Sequence, residues 1–294
     1  MTTRSEGLIV LNQMAGPVPV AAAVIEPMLA GRNFEILTLR PGLDLAAIIR
    51  DRLFRGIRHI VAAGGDGTIH HVAQAVVGTD AVLSILPIGT YNHFARDLGI
   101  PLGLRDAVGV MLKGQTIQVD TGRVNHIHFV NNLSLGLYPE IVRLREKMGR
   151  RKRSRWRSVL YAVYSVMRSY PHVALTIDSA HLLEAVKTHL FMVSNNPYDL
   201  SGPGIEAART SIQQGLLSVY WLPHRPRLAF VRSIARYIRG RSNELGELRS
   251  TRTQHLRINS PRHHLHVAVD GEVFELEPPL VIDAVPLSLE VKVP

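Results

Sequence analysis

Val61-Ala62-Ala63-Gly64-Gly65-Asp66-Gly67-Thr68 is where a strand pattern gives way to a helix pattern, and that junction decides the fold. Residues 57–63 form a short apolar run closing on glycine, which predicts a buried strand, and 69–77 carry apolar residues at helical spacing. Between them lie three glycines and one carboxylate. Glycine permits positive φ and has no Cβ to block a ligand, so the backbone N–H groups of such a turn can point at an anion. The helix behind it adds unpaired N–H groups and the positive end of its dipole. Phosphate is the natural occupant. Asp66 then has two available tasks: holding a divalent cation against that phosphate, or handling a proton. A glycine turn with an aspartate is also what plain helix capping looks like, so the rest of the chain has to choose.

Working outward, the same alternation repeats. Strands are expected at 7–11, 33–39, 57–63 and 81–86, and helices at 18–30, 43–54 and 69–77. Strands alternating with helices at this spacing imply a doubly wound parallel sheet, in which ligands bind outside the carboxyl ends of the strands. Three turns fall on that edge: Asn12-Gln13-Met14-Ala15-Gly16, the glycine turn, and Pro87-Ile88-Gly89-Thr90-Tyr91-Asn92. In the third, Gly89 allows a sharp turn while Thr90 and Asn92 supply short polar groups at a helix start. Convergence of three loops on one edge favours a ligand over simple capping.

The pattern changes near Thr116. Strands are expected at 116–120, 124–131, 173–177, 188–194, 216–222, 254–259, 264–269, 273–276, 280–282 and 287–293, separated by turn residues. They suggest an antiparallel sandwich, giving an α/β domain over 1–122 and a β domain over 123–294. Two helical interruptions are expected, at 141–170 and 227–239. The first is basic, with Arg143, Arg145, Lys147, Arg150, Arg151, Lys152, Arg153, Arg155 and Arg157 leading into a more apolar stretch with Trp156, Tyr161 and Tyr164. Such a run is either a solvated helix end or a surface that docks on anionic lipid with aromatic anchors.

Composition sets the outer limits. The 294 residues are 46% hydrophobic and 20% charged, as expected of a folded chain with a substantial core. There is no cysteine, so thiolate metal sites and disulfides are excluded and a reducing compartment is expected. The sequence has no signal-peptide pattern at its start and no apolar stretch long enough to span a bilayer. A net charge of +10 points to anionic partners, and without a nucleic-acid module nucleic acid is not among those expected. His70-His71, His126/His128 and His263/His264/His266 lack acidic or thiolate partners at zinc spacing. Near the end, Val269-Asp270-Gly271-Glu272 reads as a hairpin tip, where two carboxylates could serve a turn or reach a phosphate site.

These residues together resemble the diacylglycerol kinase catalytic-domain family, in particular bacterial soluble lipid kinases of the broad group that includes sphingosine kinases and, more distantly, NAD kinases. Gly64-Gly65-Asp66-Gly67-Thr68 is similar to that group's nucleotide signature, and the stretch from Leu86 to Arg96 to its second signature. Val269-Asp270-Gly271-Glu272 is similar to its late acidic motif. The resemblance implies a two-domain build, an α/β domain followed by a β-sandwich, using ATP and Mg²⁺. It implies nucleotide contacts at Asn12, Gly16, Gly64, Gly65, Asp66, Gly67, Thr68, Gly89, Thr90 and Asn92, with Thr38 a weaker placement. Asp66 would organise the metal, and Glu272 or Asp270 would accept the proton of a lipid hydroxyl. The expected substrate is diacylglycerol or a related long-chain alcohol at an anionic membrane surface. The expected location is cytoplasmic, peripherally attached to the membrane, with a homodimer one assembly carried forward.

Three stretches depart from the family pattern. Gln13 and Ala15 replace members of an Asn-Pro-x-Ser-Gly loop, and His93 stands where aspartate is usual. Gln213 and Gln214 replace a pair of aspartates that help bind a structural Mg²⁺ together with the residue at Asp120, so no structural Mg²⁺ is expected. A catalytically weakened nucleotide- or lipid-binding protein, or a kinase for a soluble polyol, is the alternative these departures allow.

Overall fold

The computed structural model describes residues 5–12, 24–140, 142, 172–179, 182–198, 209, 211–224, 226, 229 and 248–294. The basic run at 143–157, Gly16, and the expected helices at 141–170 and 227–239 apart from isolated residues lie outside the described part. Two compact units form. One comprises Met1–Thr121, Ile127–Asn131 and Val285–Pro294; the other comprises Gly122–His126 and Asn132–Ala284. Where the sequence suggests one passage between domains at 122/123, the chain passes between units after Thr121, His126, Asn131 and Ala284.

The first unit is built on parallel strands β1 (Gly7–Leu11), β2 (Phe34–Thr38), β3 (His59–Gly64) and β4 (Val82–Pro87). Their order is β2-β1-β3-β4, and all these pairs are parallel. The end of the last strand, Leu280–Val293, adds beside β4 through Glu290 and Val291. Leu8, Ile9, Val10, Ile60, Val61 and Ala62 are wholly buried, as expected for strands covered on both faces. Because the strands are parallel, Leu11, Thr38, Gly64 and Pro87 all close on the same edge. The connecting helices are α1 (Leu45–Phe54), α2 (Asp66–Val76), α3 (His93–Asp97) and α4 (Leu104–Lys113), and residues 24–28 are also helical. Helix α2 buries Ile69, Val72, Ala73 and Val76, one face at helical spacing. It starts at Asp66, three residues before the expected Ile69. First-turn N–H groups need no intrahelical partner, so glycine-rich sequence can enter the helix without an apolar signature.

The second unit is antiparallel. Its strands include β7 (Asn132–Gly136), β8 (Val173–Ser179), β9 (Leu182–Asn195), β10 (Leu217–Pro223), β11 (Arg249–Thr253), β12 (His255–Asn259), β13 (Leu265–Val269) and β14 (Glu272–Leu276). The long strand β9 pairs with β8, β7 and β10, β13 pairs with β7 and β14, and β12 with β8. Strict alternation of buried and exposed residues in β8 and β12 marks strands with one solvated face. Leu133, Leu135, Phe191, Val193, Val219, Leu256, Ile258, Val267 and Val269 are wholly buried and form this unit's core.

Three differences from expectation have physical causes. Strand β5 (Gln115–Val124) runs through Gly122 without a break, since that glycine is buried in the sheet and not placed in a turn. Strand β15 (Leu280–Val293) runs through Pro286, because Leu287 adopts φ 48° and absorbs the bend while the Asp120 carboxylate accepts its N–H at 2.9 Å. Strand β11 is not predicted by the sequence because Arg-Ser-Thr-Arg-Thr has no apolar alternation; among the described residues it pairs only with β10. Among the described residues no helix is long and apolar enough to cross a membrane.

Candidate functional site

The glycine turn and the third loop touch at their backbones. Strands β3 and β4 end side by side, with Gly64 opposite Pro87, and the Ile88 N–H donates to the Gly64 carbonyl at 3.0 Å. Beyond that point Gly65 and Gly89 are so close that a Cβ on Gly89 would lie 2.4 Å from the Gly65 Cα. A side chain at 89 does not fit between the two loops, and the two strand-to-helix turns become one surface.

Asp66 binds them together. Its Oδ2 accepts the Asn92 N–H at 3.0 Å and its Oδ1 accepts the His93 N–H at 2.8 Å. A carboxylate from the first turn of α2 therefore caps the start of α3, satisfying two N–H groups that a helix start leaves open. Asn92 sits in the left-handed region at φ 53°, and its Nδ2 donates back to the Gly89 carbonyl at 3.0 Å. Its Oδ1 is buried with no hydrogen-bond partner among the described residues, an acceptor left open to a donor. Asn12 joins from β1: its N–H donates to the Ala63 carbonyl at 2.9 Å, and its Nδ2 donates to the Thr68 Oγ1 at 2.9 Å. Thr68 in turn packs against Gly64, where a Cβ would meet the threonine side chain at 2.3 Å.

What this assembly leaves open is the beginning of α2. Gly65 is its N-cap, with no side-chain cap, and the Ile69 N–H is the first to bond back, to the Gly65 carbonyl at 3.0 Å. The N–H groups of Asp66, Gly67 and Thr68 precede that first helical bond, at the positive end of an eleven-residue helix. Geometry of this kind accepts an oxyanion. Thr90, within the third loop, is exposed.

Of the residues singled out in the sequence, Asn12, Gly64, Gly65, Asp66, Gly67, Thr68, Gly89, Thr90 and Asn92 therefore belong to one connected edge. Thr38 ends β2, opposite Leu11 and two strands away from β3. His93 is exposed, with its ring stacked on Tyr91 at 5.7 Å, and it contributes to the clamp through its backbone. That contribution does not depend on which side chain stands at 93.

The late acidic pair lies in the second unit. Asp270 and Gly271 form the two-residue turn between β13 and β14, at φ 48° and 91°, the positive pair that a tight hairpin requires. The Asp270 N–H donates to the Asn132 carbonyl at 2.9 Å, and its Oδ1 accepts the Asn132 N–H at 3.1 Å. This buried carboxylate thus holds β7 to the hairpin, a task the motif alone did not reveal. Glu272, half-buried, begins β14 directly opposite Val269.

Residues 6–124 match the diacylglycerol kinase catalytic domain, and residues 140–293 match the YegS C-terminal NAD kinase beta sandwich-like domain. A probable lipid kinase YegS-like protein of Pseudomonas aeruginosa is 39% identical over 127 residues, covering 42% of this chain and 41% of that protein. A probable lipid kinase YegS-like protein of Enterobacter sp. is 30% identical over 173 residues, 57% of each. The matched stretches thus span about half the length of these curated relatives. Among solved structures, a diacylglycerol kinase of Bacillus anthracis superposes with a TM-score of 0.74 at 21% identity over 100% of this chain and 99% of that one. A putative diacylglycerol kinase from the same organism gives 0.73 at 23% identity. An α/β domain followed by a β-sandwich is the arrangement these matches share, and since residues 140–293 are more than half of the chain, it belongs to the family of the YegS C-terminal NAD kinase beta sandwich-like domain, with a diacylglycerol kinase catalytic domain ahead of it.

Proposed function

We propose that this protein is an ATP-dependent lipid kinase that transfers the γ-phosphoryl group to a hydroxyl of diacylglycerol or a related long-chain alcohol. The observation that carries the reading is the uncapped start of α2, set beside a second glycine loop that is locked to it by Asp66. Backbone N–H groups at that start bind the phosphates, and no side chain at 65 or 89 obstructs them. Asn12 orients Thr68 from the neighbouring strand, and Thr90 offers a hydroxyl to the nucleotide.

Mg²⁺ fits the donor set. The Asp66 carboxylate uses one lone pair of each oxygen on backbone N–H groups and retains others, and Mg²⁺ is commonly held by one or two carboxylates together with waters and phosphate oxygens. When bound, MgATP supplies the transferable phosphoryl group and neutralises its charge. Glu272 is the proton acceptor for the lipid hydroxyl, because the Oδ1 of Asp270 is already committed to the Asn132 backbone. Asp270 fixes the hairpin on which Glu272 stands. The protein works at an anionic membrane surface, supported by its net charge of +10.

The test is incubation of the purified chain with labelled ATP, Mg²⁺ and a panel of lipids. Label should enter a long-chain alcohol and fall to background with Asp66→Asn. Label in no lipid, with the Asp66→Asn variant behaving identically, would sink the proposal.

A further inference from the structure

A separate cavity in the second unit has the chemistry of an anion site. Strands β10 and β11 are antiparallel neighbours, with Ser218 directly opposite Arg252 and Tyr220 directly opposite Ser250. Directly opposed residues share a sheet face, so a guanidinium and three hydroxyls stand on one patch. Tyr198 closes it, and together these residues line a cavity of about 160 Å³.

Ser218 is 1% exposed and its Oγ has no hydrogen-bond partner among the described residues. Buried hydroxyls are nearly always satisfied, so an orphan on a cavity wall points to an absent partner. The phenolic oxygen of Tyr220 already accepts the Tyr198 N–H at 3.1 Å, which leaves its O–H to donate into the cavity. Arg252 has no ion pair among the described residues, although the neighbouring Arg249 is paired with Glu184 at 2.9 Å. No carboxylate belongs to the described lining.

We propose that this cavity is a binding site for a small oxyanion of the phosphate class. Ser218, Tyr220, Ser250 and Arg252 line one cavity with no carboxylate among its described residues, and a guanidinium beside several hydroxyls matches the spread oxygens of a tetrahedral anion. The volume decides the size of the ligand. Sites for drug-sized molecules run to roughly 300–1,000 Å³, so the cavity accommodates a phosphate group and not a whole nucleotide or acyl chain. The group could arrive free or as the headgroup of a lipid phosphomonoester, and both present the same oxygens. None of these residues belongs to the glycine loops of the first unit, so the inference stands apart from the kinase reading.

Thermal unfolding of the full chain tests it, in sodium phosphate against sodium chloride at equal ionic strength, and in parallel with a short-chain soluble phosphatidic acid. Stabilisation by inorganic phosphate identifies a free anion as sufficient; stabilisation by the lipid alone identifies the headgroup. Arg252→Gln and Ser218→Ala should each weaken the response by roughly ten- to a hundredfold in apparent Kd. Without ligand, Ser218→Ala should melt no lower than the parent, since it removes a hydroxyl that has no partner among the described residues. Arg262→Gln, a charge change in the 260–264 loop outside the cavity, should leave the response intact. The proposal is overturned if neither compound stabilises the protein, if the response survives Arg252→Gln and Ser218→Ala, or if Ser218→Ala lowers the ligand-free melting temperature.

Discussion

A methyl group at position 89 would meet the Gly65 Cα at 2.4 Å and the Asn92 Oδ1 at 2.7 Å, whereas one at position 65 would lie 3.3 Å from the Gly89 Cα. The contact at 65 can relax by a few tenths of an ångström; at 89 backbone has to move. Gly89→Ala should therefore destabilise the chain by about 1–3 kcal/mol and Gly65→Ala by clearly less, as read from denaturant midpoints at constant m. A second residue, His59, gives a pH-dependent prediction. Its Nε2 is hydrogen-bonded to the buried Ser84 hydroxyl at 2.7 Å and its ring lies edge-on to Phe34 at 5.5 Å. Burial, reinforced by the nearby Lys292 ammonium, pushes the imidazole down to about 4 from its ordinary 6.5. The unfolded chain then binds a proton that the folded chain refuses between those values. Stability from this residue is complete above pH 6.5, falls as pH drops toward 4, and changes by at most about 3 kcal/mol across the window. Acid unfolding of His59→Leu should lack that component; an unchanged slope between pH 6.5 and 4 would remove His59 as its source.

At the scale of elements, the hairpin of β13 and β14 and the anchoring of α2 each rest on one side chain. Asp270 lies in the left-handed region and accepts the Asn132 N–H. Asparagine tolerates both tasks, so Asp270→Asn should fold with a loss under about 1 kcal/mol, while Asp270→Ala loses the acceptor and keeps the strained φ, costing about 1–3 kcal/mol. The same pair of variants separates positioning from proton transfer. Asp270→Asn should retain most turnover, and Glu272→Gln should lower kcat by about 10²–10⁴ with the fold intact by circular dichroism. Helix α2 is tied to strand β6 (Ile127–Phe129) by Gln74, whose amide donates to the His128 carbonyl and accepts the His128 N–H at 3.1 Å. A side chain here completes a strand edge as a peptide group would. Gln74→Ala leaves both backbone groups open and should cost about 1–3 kcal/mol in thermal or denaturant unfolding.

For the whole molecule, the net charge of +10 makes the surface field a measurable property. Pelleting with anionic vesicles should be strong at low ionic strength and fall steeply as salt shortens the Debye length to a few ångströms, while neutral vesicles leave the chain in solution. Equal pelleting with both lipids, or no dependence on salt, would remove charge as the means of attachment. The chain crosses between its two units four times, so neither unit is a continuous segment. The last ten residues belong with the first unit, where Glu290 and Val291 pair beside β4. A truncation before Val285 should therefore destabilise the α/β unit, visible as loss of cooperative unfolding, and not merely trim the sandwich.

Much of this was legible in the sequence because the signals are local. Strand β1 falls where the apolar run at 7–11 predicts it, and the parallel order follows from strands alternating with helices at short spacing. The glycine signatures likewise mark the two loops, since a turn that must approach another backbone excludes side chains at that very position. What sequence could not supply is pairing between distant groups. The two N–H donors that meet Asp66 lie 26 and 27 residues along the chain, Gln74 and His128 are 54 apart, and Asp270 meets Asn132 across 138. Hydrogen-bond partners of this kind leave no periodicity and no composition bias. By itself the sequence determined the two kinds of sheet and the anion-ready turn, through patterns that each segment carries alone. Only the tertiary structure decided that Asp66 braces one loop against the other and that Asp270 holds a strand, because both roles are fixed by which backbone N–H the folded chain brings within reach.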